Sequence, residues 1–401
     1  MEITKLFKNF FDSEKAGGLV LVGCTIISIL IANGSWGLAY TEFWHRHVDL
    51  SFGTINLNYS IEHWVNDGLM TIFFLLVGLE IERELYIGEL KEIKVASLPI
   101  AAALGGMLVP AAIHYFFNAG TPEQSGYGIP MATDIAFALG MLALLGNRVP
   151  FSLKVFLTAF AIIDDLGAII VIAIFYSGGV SWPYLLGALA IFAGLFVMGK
   201  FKIYNLAFYL IPGIAMWYCM LQSGVHATIT GVLLAFAIPF GGNNEKSPSY
   251  RLQHFLHKPV AFFILPVFAL ANTGLILAEG WANDLSTPNS LGIMVGLVIG
   301  KPVGIFLFSL LLIKLKWGSL PSGVTFKHLL GAGMLGGIGF TMSIFITNLA
   351  FNDPHTIQYS KVSILAGSAI AALLGLSWLW FVLKKSTVNS ERGEGRVGSG
   401  E

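Results

Sequence analysis

The sequence predicts an all-α membrane protein of about twelve spanning helices. Three observations lead there. Of 401 residues, 55% are hydrophobic and only 11% are charged, whereas a soluble domain carries about 25% charged residues. Apolar segments recur at 17–34, 62–83, 95–117, 128–146, 152–176, 182–199, 205–221, 223–239, 259–278, 290–313, 328–350 and 359–383, and about 20 apolar residues in a helix cross a bilayer. Lysine and arginine collect in alternate loops. No polar block is long enough for a soluble domain, so 1–385 reads as one transmembrane unit. The formal net charge is zero, which implies no nucleic-acid partner.

Taken from the N-terminus, Met1 to Gly18 is polar and of mixed charge. It has no small-residue cleavage site at the right distance, so no removed signal peptide is expected. With the N-terminus inside, the cytoplasmic loops receive the basic residues from Lys5 through Arg83, Lys91, Arg148, Lys200, Arg251, Lys316 and Lys327 to Lys385. The opposite loops receive little beyond Arg46 and Lys361. That is the positive-inside pattern; it places both termini in the cytoplasm and favours an even number of spans. Cys24 and Cys219 lie in apolar runs, which argues against a disulfide framework.

One outside loop has its own pattern. Val48 to Tyr59 alternates apolar and polar residues around Gly53-Thr54, the signal of a β-hairpin at about 45–60. It reads either as an ordered loop or as an exposed strand edge that joins two copies. The tail 386–401 is rich in Gly, Ser and charge and is expected to be disordered.

The chemistry centres on Asp164 and Asp165, adjacent within the apolar run Val155 to Ile174. An ionised carboxylate at bilayer depth costs at least ~2.5 kcal/mol, so such a pair is a poor structural element. Neighbours on a helix point about 100° apart. Both carboxylates can border one cavity, but one is the primary ligand and the other flanks it. Two close carboxylates cannot both ionise cheaply. Hard cations prefer oxygen ligands. Protons and Na⁺ or Li⁺ therefore compete for the pair, which is the core of an exchanger.

Two segments look broken. Pro130, Thr133 and Asp134 would interrupt a helix within Ile129 to Gly140. Gly331 to Ile344 holds five glycines in nine residues, which fits either close small-residue packing or unwinding in mid-membrane. Broken helices at corresponding places in two halves mark the binding region of many transporters. Here they are the second spans of two three-span groups, about 95–176 and 290–383. Asp134 could offset helix N-termini, and Lys301 could offset C-termini or pair with Asp164. Glu80, Glu82, Arg83 and Glu84 close another span; they read as a solvated helix end or as a charged funnel that attracts cations and senses pH. His226, near a span end, reads as structural or as a ligand. His254 and His257 read as surface residues.

Phe73–Glu84, Ala132–Gly140, Ala161–Ala168, Ser223–Gly231, Gly300–Gly304 and Gly336–Ile346 resemble the bacterial Na⁺/H⁺ antiporter family of the NhaA type, over nearly all of 1–385. The resemblance implies twelve helices in two inverted repeats, with the fourth and eleventh broken and crossing. It implies Na⁺, Li⁺ and H⁺ bound at Asp164 and Asp165, with Asp164 the direct ligand, and charge balance at the crossing by Thr133, Asp134 and Lys301. It further implies electrogenic exchange without a cofactor, and homodimers through the hairpin in the bacterial inner membrane. Activation at alkaline pH is implied too, with Glu80 and Glu84 among the sensing groups; as a candidate, His226 is grouped with them at the cytoplasmic funnel. Gln253 departs from the pattern, because relatives carry a carboxylate there, and the pH profile is expected to be shifted or shallower. Two other classes were weighed. Broken helices and acidic residues do not exclude a passive cation channel, but internal three-span repeats and a paired-carboxylate proton site favour a coupled exchanger. An intramembrane aspartyl protease needs its aspartates on separate helices, one in a Gly-x-Gly-Asp context, which is missing.

Overall fold

Backbone that has no water to bond must bond itself, so apolar spans close as helices. The computed structural model describes residues 2–53, 55–88, 90–241, 247–277 and 280–394. Helix α1 (Glu2–Ala32) turns by 114° into α2 (Gly37–His45). Strands β1 (His47–Asp49) and β2 (Asn58–Ser60) follow, then α3 (Ile61–Tyr86) and α4 (Ile93–Phe117). A 3₁₀ arm (Pro122–Met131) leads to α5 (Ile135–Ala143). Next come α6 (Phe151–Phe175), α7 (Trp182–Lys200), α8 (Ala207–Gln222), α9 (Ile229–Ala237) and α10 (Pro248–Asn272). The chain ends with α11 (Pro288–Lys314), α12 (Phe326–Gly336), α13 (Phe340–Ala350) and α14 (Pro354–Glu394).

Among the described residues, seven helices are long and apolar enough to cross a membrane, or ten segments when each bent pair is one span. The predicted segments 205–221 and 223–239 become the shorter α8 and α9. The two predicted breaks are present. The 3₁₀ arm meets α5 at 41°, and α12 meets α13 at 47°. Between the arm and α5, Ala132 and Asp134 are extended.

The 45–60 stretch holds a two-stranded antiparallel sheet in the register His47↔Ser60, Val48↔Tyr59 and Asp49↔Asn58. Gly53 sits at the turn with φ +58°, a conformation that only glycine adopts freely. Asp49 accepts from the Ser51 hydroxyl and amide, and these bonds hold its carboxyl below the usual range. The tail expected to be disordered from 386 is helical as far as Glu394. No proline or glycine interrupts the chain from Leu376 to Arg392, so α14 has no local stop signal; residues 395–401 lie outside the described residues.

Glycines set the tightest contacts. Helices α4 and α11 pack side by side with Gly105 against Gly304, and a Cβ on either would collide with the other's carbonyl. Gly78 of α3 faces Val232 and Ala235 of α9, and Gly231 faces the backbone of α3. Two wide turns carry their bond to the residue before a proline: Leu265 N–H to Val260, before Pro266, and Lys301 N–H to Gly296, before Pro302. Proline has no N–H to continue the ladder, and such turns recur near functional residues. Gly304→Ala should therefore push α11 off α4 and shift Lys301. Overpacking of this kind costs about 1–3 kcal/mol. The check is the thermal midpoint of the purified variant in detergent; an unchanged midpoint would show that the helices yield freely.

Candidate cation and proton site

The two breaks meet through hydrogen bonds. The Asp134 N–H donates to the Ile338 carbonyl at 2.7 Å. The Thr133 hydroxyl donates to the Gly336 carbonyl at 2.7 Å. The Ser343 hydroxyl donates to the Ile129 carbonyl at 2.6 Å. The connecting backbone thus finds partners in the other break, as a buried interruption requires.

Charge follows the helix ends. Asp134 caps α5, accepting from the Phe137 N–H at 2.9 Å. It also accepts from the Thr341 N–H at 3.2 Å and from the Thr341 hydroxyl. One carboxylate thereby faces the positive ends of both α5 and α13. Lys301 does the converse. Its Nζ donates to the Met131 carbonyl, the last residue of the 3₁₀ arm, and so faces a negative end.

The same Nζ lies 2.7 Å from Asp164 Oδ2, with both side chains fully buried. The Phe160 ring stands 5.9 Å from it. Asp164 Oδ1 and Asp165 Oδ1 are buried with no hydrogen-bond partner. The charged neighbours of Asp165 are Asp164, Asp134, Lys301 and Glu80. Unpartnered carboxylate oxygens at buried positions are costly. The chemistry that removes the cost is a proton or a small cation. Among the described residues, no group of three or more His, Cys, Asp or Glu side chains is arranged to hold a metal.

The fold thus brings Thr133, Asp134, Asp164, Asp165 and Lys301 together. It adds Thr341, which the sequence reading missed. The available signal was a hydroxyl in the first turn after the glycine-rich break.

Glu80 and Glu84 lie one turn apart near the end of α3. Arg83 bonds Glu84 at 2.9 Å, and the Gln253 side chain bonds Glu80. His257, expected at the surface, shares with Glu80 a cavity of about 40 Å³ between α1, α3, α5 and α10, wide enough for a water. His226 is not in this group. Its Nε2 meets the Tyr176 carbonyl at 2.9 Å, and its charged neighbour is Asp67. Asp67 sits near the start of α3, roughly 25 Å from Glu84 at 1.5 Å per residue. The placement of His226 in the same funnel is therefore corrected. The charge pattern already makes the start of segment 223–239 an outside end, which agrees with the position beside Asp67.

A family model described as Na⁺/H⁺ antiporter 1 matches residues 8–379. The chain is 59% identical over 384 residues to the Na⁺/H⁺ antiporter NhaA of Dechloromonas aromatica, covering 95% of this chain and 97% of the relative. It is 58% identical over 383 residues to Na⁺/H⁺ antiporter NhaA 1 of Flavobacterium johnsoniae, covering 96% and 98%. A solved structure of the sodium proton antiporter MjNhaP1 from Methanocaldococcus jannaschii shares the fold, with a TM-score of 0.54 at 16% identity, covering 96% of this chain and 99% of that one. By sequence over nearly its whole length, the chain belongs to the Na⁺/H⁺ antiporter family of the NhaA type.

Proposed function

We propose that the protein exchanges Na⁺ or Li⁺ for protons across the bacterial inner membrane, by exposing one buried site to the two sides in turn. The observation that carries this reading is the wholly buried Asp164–Lys301 pair beside an unpartnered Asp165 oxygen. A cation entering between the carboxylates displaces Lys301 from Asp164. Protons entering instead neutralise the carboxylates and leave no charge to hold the cation. One site with two exclusive occupants couples the two fluxes. More protons enter than cations leave, so each cycle moves net charge.

The architecture supports twelve crossings, with α8 and α9 added to the ten segments. Two inverted three-span groups are built around the two breaks, and both termini lie in the cytoplasm. The sheet at 45–60 offers a strand edge for a homodimer. Glu80 and Glu84 sense pH at the cytoplasmic end, and Glu80 is among the charged neighbours of Asp165. Gln253 donates to Glu80 where a carboxylate would repel it, so activation is expected to depend less steeply on pH.

The test is reconstitution in vesicles with an imposed ΔpH. Na⁺ pulses should dissipate the gradient saturably and generate a membrane potential. Ohmic single-channel current in place of saturable exchange would overturn the proposal. In the same vesicles, Asp165→Asn should raise the half-saturating Na⁺ concentration about tenfold, as expected for loss of one charged ligand contact. Unchanged affinity and unchanged coupling would make Asp165 structural.

A further inference from the structure

A second polar network lies at the sheet end of the bundle, away from Glu80 and Glu84. Its centre is Asn272, the last residue of α10 and fully buried. The Asn272 Nδ2 donates to Asn66 Oδ1 of α3 at 2.8 Å and to the Phe268 carbonyl at 3.0 Å. Its Oδ1 accepts from Asn348 Nδ2 of α13 at 2.7 Å and from Lys361 Nζ of α14 at 3.3 Å. All four hydrogen-bonding positions of the amide are filled. Lys361, counted from sequence as an outside-loop charge, is only 6% exposed, and its ion-pair partner is Glu62 of α3 at 3.9 Å. Glu62 stands two residues after β2, which places the network at the sheet end.

Helix α13 joins this network to the ion site. Its first turn carries Thr341, which donates to Asp134. Asn348 lies seven residues further on, two turns and roughly 10 Å along the same face. A helix of this length moves as a rod. What holds Asn348 therefore also sets where Thr341 meets Asp134.

We propose that Asn272 is a positioning residue that latches the outer end of α13 to α3 and α10, closing the ion site toward the sheet end. The latch must release for the site to open there. This rests on the exchange reading, since only a site that faces both sides in turn needs a releasable closure. Hydrogen bonds to an amide suit that role. They fix geometry when made, and water replaces them when the network is wetted. Lys361 adds a buried positive charge on the closed side, which repels a cation approaching from there.

The test uses a background with Cys24→Ser and Cys219→Ser and a reporter Thr347→Cys, a buried position of α13 next to Asn348. A charged, membrane-impermeant thiol reagent is applied from the sheet side. Asn348→Ala and Asn272→Ala should each raise the labelling rate about tenfold, the shift expected when one buried hydrogen-bond link is lost. The double variant should go no further, because both changes break one link. Labelling at the parent rate in folded Asn348→Ala would overturn the latch, even if Asn272→Ala proves unstable. A lower thermal midpoint with unchanged labelling would likewise reduce Asn272 to a structural role and overturn it. Faster labelling in a protein whose parent exchanges no Na⁺ would sink the exchange reading and leave the latch standing as a closure.

Discussion

Asp164→Asn should reduce ΔpH-driven Na⁺ exchange in proteoliposomes to the level of protein-free vesicles. The substitution keeps shape and leaves an amide oxygen facing Lys301, which lies 2.7 Å from Asp164 Oδ2. What it removes is the charge and the ability to carry a proton. A neutral oxygen is a weaker partner for a monovalent cation than an ionised one. It also cannot alternate between a protonated and a cation-bound form. Both halves of the exchange fail together, so the loss should not be rescued by more Na⁺ or by a steeper pH gradient. A folding defect would mimic this result. Size-exclusion behaviour and thermal midpoint therefore have to match the parent. Exchange retained above about a tenth of the parent rate would remove Asp164 from the site, since a contact made to a charged group is worth about 1.5–3 kcal/mol.

Much of this site was legible in the residues. An adjacent aspartate pair in a long apolar run has few structural explanations, because burying charge without a partner is costly. The breaks were legible for the same kind of reason. Pro130 with Asp134, and five glycines in nine residues from Gly331, each fit an uninterrupted helix poorly. The fold places both breaks where those residues stand and brings Asp134 and Lys301 to opposite kinds of helix end.

Other features were hidden because they depend on which segments meet. Asn66, Asn272, Asn348 and Lys361 are separated by up to 295 positions (361 − 66) and carry no common motif. Lys361 looked like a loop charge because it stands at the very start of segment 359–383. His226 stands at the start of segment 223–239, an outside end by the charge pattern, so grouping it with the cytoplasmic cluster ran against that pattern. The expectation for 386–401 rested on composition, which reports flexibility averaged over a tail, while a helix continues until something stops it. Thr341 was obscured by the glycines before it. A hydroxyl becomes a cap partner only once the chain bends, and the bend brings α13 against Asp134.

Lys301→Met should cost ~3–5 kcal/mol of stability, the range for removing one member of a buried ion pair. Lys301 is fully buried and meets two groups, the Met131 carbonyl and Asp164 Oδ2. With the amine gone, Asp164 has neither oxygen bonded to a cation, and Oδ1 already has no partner. The arm's last carbonyl loses its donor as well. The larger share of the cost comes from the stranded carboxylate and not from the lost attraction, because an uncompensated buried charge is the expensive state. That distinction is measurable. Asp164→Asn in the Lys301→Met background removes the stranded charge, so the double variant should be more stable than Lys301→Met alone. Thermal or denaturant unfolding in detergent of the parent, both single variants and the double variant completes the cycle. Additive losses would mean that the two side chains do not interact, and the 2.7 Å contact would then have no energetic role. A double variant that regains stability without regaining exchange separates the two functions of the pair. That outcome would assign the ion pair to holding the site together and the carboxylate to carrying the ions.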